Sequence, residues 1–153
     1  MHTPDPTNAR IADAHAEVRA EIARADTKSA LLLAYDAGLA AGTWATAHAG
    51  HPAATITAGL AGAATLASAL LLLAVVLPRL RPPGSQPAGG FPRWAGLTAQ
   101  QFRTEMTVDQ RDRDTVGLAR LAVRKMALFA HAVRASAAAT ILLAAAGLLA
   151  VAL

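Results

Sequence analysis

The chain has 153 residues, of which 54% are hydrophobic and 16% are charged, and its formal net charge is +4. An average soluble domain carries about 25% charged residues, and a chain this short cannot enclose so much apolar surface in one core. Because the chain has no cysteine, disulfides and cysteine-based metal sites are excluded. The composition therefore predicts a membrane protein with short soluble segments.

The N-terminal segment predicts an amphipathic helix that begins at about residue 9 and continues into the first apolar segment. Its apolar stripe recurs at steps of three and four residues: Ile11, Ala14, Val18, Ile22 and Ala25. Charged residues occupy the opposite face, so we interpret residues 1–28 as a cytoplasmic helix in water.

Two apolar segments then predict a transmembrane hairpin over residues 29–78. The first segment, residues 29–47, is about 19 residues long, close to the ~20 needed to cross hydrocarbon. Its one formal charge is Asp36. A carboxylate within a span is costly and often functional, and the alternative is that Asp36 faces protein or water near the membrane edge. The second segment, residues 54–77, carries no charge and is the clearest span. Small residues typical of close helix packing recur in both segments: Gly38, Gly42, Gly59 and Gly62.

Residues 79–131 are predicted to be a cytoplasmic region that contains a linker and a basic helix. The linker at residues 82–96 is rich in proline and glycine, and Thr98 with Gln101 forms a capping-box pattern for a following helix. A later helical stripe is predicted at Val116, Ala119, Val123, Met126 and Ala130. That helix is expected to continue into a C-terminal transmembrane helix, residues 132–153.

The basic residues predict the topology. All 14 lysines and arginines lie in residues 10–28 and 79–134, and the turn at residues 48–53 has none. By the positive-inside rule, the N-terminus is cytoplasmic, whereas the turn and the C-terminus are outside. The predicted fold class is an all-α, multi-pass membrane protein with three transmembrane helices and cytoplasmic amphipathic helices.

The sequence contains no recognisable catalytic motif, so we expect no enzyme activity, no catalytic residue and no cofactor. His48 and His51 have no neighbouring carboxylate or cysteine, so no metal site is expected. Nucleic acid is not an expected partner, because the aromatic platforms that stack bases are missing. The basic cytoplasmic surface leaves two alternatives open, namely anionic lipid headgroups and a nucleotide phosphate.

Three stretches resemble a known family. RADTKSALLLAYDAGLAAG, residues 24–42, is similar to the signature at the start of Pycsar membrane effectors of the PycTM type, in which an acidic–Thr–Lys–small motif leads into the first membrane helix. LLLLAVVLPRLRPP, residues 70–83, resembles the family's apolar run closed by proline and arginine. RLAVRKMALFAHAVRASAAATILL, residues 120–143, is similar to its basic helix before a last span. The likeness covers most of residues 10–153.

The resemblance implies an antiviral, abortive-infection effector in the inner membrane. Such effectors sense cyclic CMP or cyclic UMP made by a neighbouring pyrimidine cyclase, and they then impair the membrane. A homo-oligomer in the lipid bilayer is expected, because three helices cannot enclose a pore. The alternative is a structural membrane protein of plasmid transfer without a small-molecule ligand.

The hypothesis for the nucleotide site combines basic side chains with a hydroxyl and a carboxylate. Its members are Arg24, Asp26, Thr27, Lys28, Arg124 and Lys125. Arginine and lysine would neutralise the cyclic phosphate, and the threonine or aspartate would bond the ribose or base. The alternative interpretation is an ion-pair seam between two cytoplasmic helices.

Overall fold

A computed structural model describes residues 6–48, 51–77, 96–106 and 111–152. Four helices account for most of them: α1 (Pro6–Ala47), α2 (Pro52–Val76), α3 (Ala99–Met106) and α4 (Arg111–Ala152). No strand occurs among the described residues, which confirms the all-α prediction. The predicted linker at residues 82–96 lies almost wholly outside the described residues.

The chain divides into two compact units. One comprises Met1–Ala23 and Pro78–Arg124, and the other comprises Arg24–Leu77 and Lys125–Leu153. The first holds the starts of α1 and α4 together with α3, and the second holds the rest of α1 and α4 together with α2.

In the first unit, the predicted capping box is confirmed. The Thr98 backbone N–H donates to Gln101 Oε1 at 2.9 Å, and the Gln101 N–H donates to Thr98 Oγ1 at 3.3 Å. These reciprocal bonds satisfy two backbone donors that the first turn of α3 would otherwise leave free. Elsewhere in this unit, α1 contacts α4 through His15 Nδ1 and Thr115 Oγ1, which lie 3.2 Å apart.

The predicted stripe on the basic helix is confirmed at two of its five positions. Ala119 and Met126 are partly buried, whereas Val116, Val123 and Ala130 are exposed. The adjacent stripe of Thr115, Leu118 and Ala122 is also partly buried. Both sets have steps of three and four residues, so each satisfies the same helical period. The sequence pattern therefore fixes the helix but does not fix which of two adjacent apolar stripes faces inward.

The second unit is a bundle of three helices that meet along regular seams. The buried positions of α2 alternate steps of four and three residues: Ala54, Ala58, Ala61, Thr65, Ser68, Leu72 and Val75. The buried positions of α4 follow the same steps: Ala132, Ser136, Ala139 and Ala146. Those of α1 are Ala25, Ser29, Asp36, Leu39 and Thr43. This spacing is that of coiled-coil packing, and most of the side chains are small enough to let the backbones approach closely.

The direction of each helix follows from the contacts between helices. Asp26 contacts Lys125 and Asp36 contacts Ser136, so residue numbers in α1 and α4 rise together and these helices are parallel. Between α1 and α2 the contacts run in opposite order, because Ala47 accepts a hydrogen bond from Thr55 whereas Thr43 lies against Gly62. The bundle is therefore an antiparallel hairpin with a third helix parallel to the first.

Local sequence sets the limits of α2. His51 has extended backbone angles and Pro52 occupies the first turn, where its missing N–H removes no helical bond. At the other end, Leu77 has a φ of −56° and a ψ of 122°. Leu77 precedes a proline in the sequence, and a residue in that position is disfavoured in the helical region.

The large apolar side chains of this unit face outward. Leu31, Ile56, Leu66, Ile141 and Leu148 are among those more than half exposed. Two described helical segments, Pro52–Val76 and Asp114–Ala152, are long and apolar enough to cross a membrane. Only 28% and 17% of their most apolar windows are buried, whereas the core helix of a soluble protein would be mostly buried. Small residues inside and large apolar residues outside are the arrangement of a bundle in lipid.

Candidate functional site

Three polar side chains meet at the centre of the bundle, one from each helix. Ser136 Oγ of α4 donates a hydrogen bond to Asp36 Oδ1 of α1 at 2.6 Å. The hydroxyl of Ser68, on α2, lies 2.8 Å from that of Ser136 and also donates to the Ala132 carbonyl at 3.1 Å. These bonds join all three helices, and we call Asp36, Ser68 and Ser136 the polar core.

The polar core lies on the seams, so ordinary helix packing places it in the interior. Asp36 and Ser136 are 2% exposed, and Ser68 is fully buried. Asp36 therefore faces protein rather than water, and a functional role for it stays a prediction. Sequence reasoning singled out Asp36 and missed both serines. The available signal was the spacing of the serines, because each lies three or four residues from small or apolar residues on the same face of its helix.

The carboxylate of Asp36 is only half satisfied. Oδ1 accepts the bond from Ser136, whereas Oδ2 is buried and has no hydrogen-bond partner among the described residues. No basic side chain is bonded to it in the part of the chain that the structure describes. An ionised carboxylate without a cation is costly to bury, by several kcal/mol in real proteins.

A second polar contact joins α1 and α4 toward the basic end of the bundle. Lys125 Nζ donates to Asp26 Oδ1 at 2.7 Å. The lysine side chain is 16% exposed and that of the aspartate is 42% exposed. Asp26 precedes Asp36 by ten residues, so the two contacts are separated by about 15 Å along α1 at ~1.5 Å per residue. The helix pair is thus joined by an ion pair near one end and by the polar core further along.

The six residues of the predicted nucleotide site are only partly brought together. Asp26 and Lys125 form the ion pair, as the alternative interpretation of a seam expected. Arg24, Thr27 and Lys28 lie on the same stretch of α1 and are exposed. Arg124 is also exposed and belongs to the first unit. The involvement of all six in ligand binding stays a prediction.

The four glycines predicted for helix packing fall into two classes. A Cβ on Gly42 would lie 3.0 Å from Leu143 Cδ2, and one on Gly62 would lie 3.2 Å from Thr43 Cγ2. A Cβ on Gly38 or on Gly59 would meet no described atom within 4 Å. Gly42 and Gly62 therefore allow close packing within one chain, whereas Gly38 and Gly59 lie on its surface.

The turn between α1 and α2 carries the two histidines considered as metal ligands. His48 Nδ1 lies 2.8 Å from the Trp44 carbonyl. The ring centroids of His48 and Trp44 are 4.5 Å apart. Among the described residues, no three side chains of His, Cys, Asp or Glu are grouped to hold a metal ion. Trp44 is 73% exposed at the end of α1, where an aromatic side chain suits a membrane interface.

Comparison with known proteins connects this architecture to a family. The chain matches the family PycTM, described as the Pycsar effector protein domain, over residues 10–152. That match includes all of α2 and α4, nearly all of α1 and every residue of the polar core. No curated protein and no solved structure matches the chain. The match confirms the resemblance found in the sequence and indicates an effector of antiphage defence. The chain therefore belongs to the PycTM family of Pycsar effectors.

Proposed function

We propose that the protein is a membrane effector that senses cyclic CMP or cyclic UMP and then impairs the inner membrane, so that the infected cell dies. The observation that carries the proposal is the family match over residues 10–152. The outward-facing leucines and isoleucines of the bundle support a membrane location. A neighbouring pyrimidine cyclase would supply the nucleotide.

The proposed topology has three spans with the N-terminus in the cytoplasm. The stretch of α1 from residue 29 to residue 47 is less apolar than the other two candidates, yet it packs beside both of them. Its buried positions Asp36 and Thr43 contact Ser136 of α4 and Gly62 of α2, respectively. Because α1 and α4 are parallel, their basic ends lie on one side of the bundle.

Reporter fusions test this topology. A reporter at residue 50 and another at the C-terminus should both report the outer side of the membrane, because an odd number of spans separates each from the N-terminus. A cytoplasmic C-terminus would contradict the three-span arrangement.

The proposed ligand site lies where α1 carries Arg24, Thr27 and Lys28 beside Lys125 of α4. Clustered cations on a helix pair can neutralise a cyclic phosphate, and a hydroxyl can bond the ribose. Asp26 holds Lys125 at 2.7 Å, so the lysine is already positioned at this end of the bundle. Arg124 is included in the proposed site because it directly precedes Lys125 in the sequence.

Substitution of Lys28 tests the site. Lys28→Ala should abolish binding of cyclic nucleotide in detergent, measured by calorimetry, while membrane insertion is retained. Arg19→Ala is the matched control, because Arg19 is an exposed cation on the same helix outside the proposed site. Unchanged affinity in Lys28→Ala, or an equal loss in Arg19→Ala, would remove Lys28 from the site.

The proposed mechanism is a shift between two packings of the bundle. A nucleotide that binds the second packing more tightly raises its population, by no more than the difference in affinity. Three helices enclose no pore, so several copies must act together, and the surface glycines Gly38 and Gly59 offer close contacts between copies.

Release of dye from liposomes tests the mechanism. Purified protein should release dye when cyclic CMP or cyclic UMP is added and should retain it otherwise. Release that ignores both nucleotides, or no release at any protein density, would favour the structural role in plasmid transfer.

A further inference from the structure

The described interior of the bundle contains a single acidic residue, Asp36, and no basic residue beside it. Within the described stretches 29–48, 51–77 and 135–152, Asp36 is the only Asp, Glu, Lys or Arg. Its side chain is 2% exposed, and its Oδ2 has no hydrogen-bond partner among the described residues. The packed bundle therefore contains one carboxylate oxygen that no described group satisfies.

Packing alone does not account for a carboxylate at this position. The one described bond of Asp36 is accepted from Ser136 through Oδ1, and an asparagine carbonyl could accept the same bond. Asparagine would avoid the cost of burying a charge in an apolar interior. A carboxylate at this position is therefore better suited to a state of the bundle in which water reaches it.

We infer that Asp36 makes the membrane leak selective for monovalent cations such as Na⁺ and K⁺ over anions. The inference rests on the proposed function, in which ligand binding repacks the helices of several copies. Opening the polar core exposes the carboxylate of each copy to the aqueous path, and rings of acidic side chains are how many pores favour cations. No basic residue lies within these described spans to offset that field.

The neighbours of Asp36 also supply oxygen atoms of the kind that bind cations. Ser136 and Ser68 supply hydroxyl oxygens, and the Ala132 carbonyl is bonded to Ser68. Carboxylate, hydroxyl and carbonyl oxygens are the hard ligands that hard cations prefer. In the packed bundle, the Ser136 hydroxyl donates to Asp36 and the Ser68 hydroxyl donates to the Ala132 carbonyl, so protons rather than a cation lie between these pairs of oxygens.

The test is the ion preference of the leak in planar bilayers across a KCl gradient. Wild-type protein activated with cyclic CMP or cyclic UMP should give a reversal potential displaced toward the potassium equilibrium potential. Asp36→Asn keeps the shape and the acceptor of the side chain, and it should move the reversal potential toward zero. Asp36→Glu should retain the displacement. Asp13→Asn, at an exposed carboxylate on the N-terminal part of α1, should also retain it.

The outcomes separate this inference from the proposed function. A nucleotide-dependent leak without cation preference in the wild type would overturn the inference and leave the proposed function in place. A cation preference that is unchanged in Asp36→Asn would also overturn the inference and leave the proposed function in place. No conductance with either nucleotide would overturn both. The wild-type measurement alone can refute the inference, so the test does not depend on whether the Asp36 variants insert into the membrane.

Discussion

Removing the hydroxyl of Ser136 should destabilise the bundle more than removing any hydroxyl that bonds only within its own helix. Ser136→Ala deletes the 2.6 Å bond that the Ser136 hydroxyl donates to Asp36. A hydrogen bond to a charged group contributes about 1.5–3 kcal/mol. The substitution also leaves both oxygens of Asp36 without a partner among the described residues, so we expect a loss of about 2–3 kcal/mol in the free energy of unfolding.

Ser29→Ala is the matched control for this experiment. Ser29 is 1% exposed, and its hydroxyl donates to the Ala25 carbonyl one turn earlier in the same helix at 2.8 Å. Such a local bond contributes little to the contact between helices, so the expected change is within about 0.5 kcal/mol. Both variants can be followed by helicity during reversible titration with SDS.

A double-mutant cycle of Ser136→Ala with Asp36→Ala isolates the bond between the two side chains. The coupling energy should be about 1.5–3 kcal/mol, because the contribution of the Ser136 hydroxyl to stability comes mainly from its bond to Asp36. Neutral hydrogen bonds between membrane helices average about 0.6 kcal/mol. A coupling at or below that average, or a Ser136→Ala variant as stable as Ser29→Ala, would refute the charged bond.

Two further predictions concern the other contacts of the bundle. Gly42→Leu should lower the free energy of unfolding by about 1–3 kcal/mol, because the added side chain meets Leu143, whereas Gly38→Leu should be nearly neutral in the monomer; equal effects in the same SDS titration would contradict this packing. Asp26→Asn should cost no more than about 1 kcal/mol, because its ion pair with Lys125 is partly exposed. The loss caused by Asp26→Asn should shrink at high salt, and a loss that salt does not change would show that the pair acts by packing.

The order of the apolar and charged blocks was sufficient to predict the long helices, with ends that differ from the observed ones by a few residues. The uncharged run at residues 54–77 predicts a span, and Pro52–Val76 is the observed helix. Thr98 and Gln101 predict a cap that the structure contains. These features are local, because hydrophobic run length, capping residues and prolines act within a few residues of where they stand. The family motif is similarly a short contiguous stretch, and it led to the family that residues 10–152 match.

The hydrogen-bond partner of Asp36 was decided only by the tertiary structure. Asp36 and Ser136 are 100 residues apart in the chain, and nothing in either neighbourhood predicts the other. Periodicity shows which residues share a face of a helix, but the rotation of that helix is set by how its neighbours pack against it. For this reason Gly42 is an interior position and Gly38 is not, although the two glycines are only four residues apart on one helix. For the same reason Asp36 lies buried between three helices rather than in water.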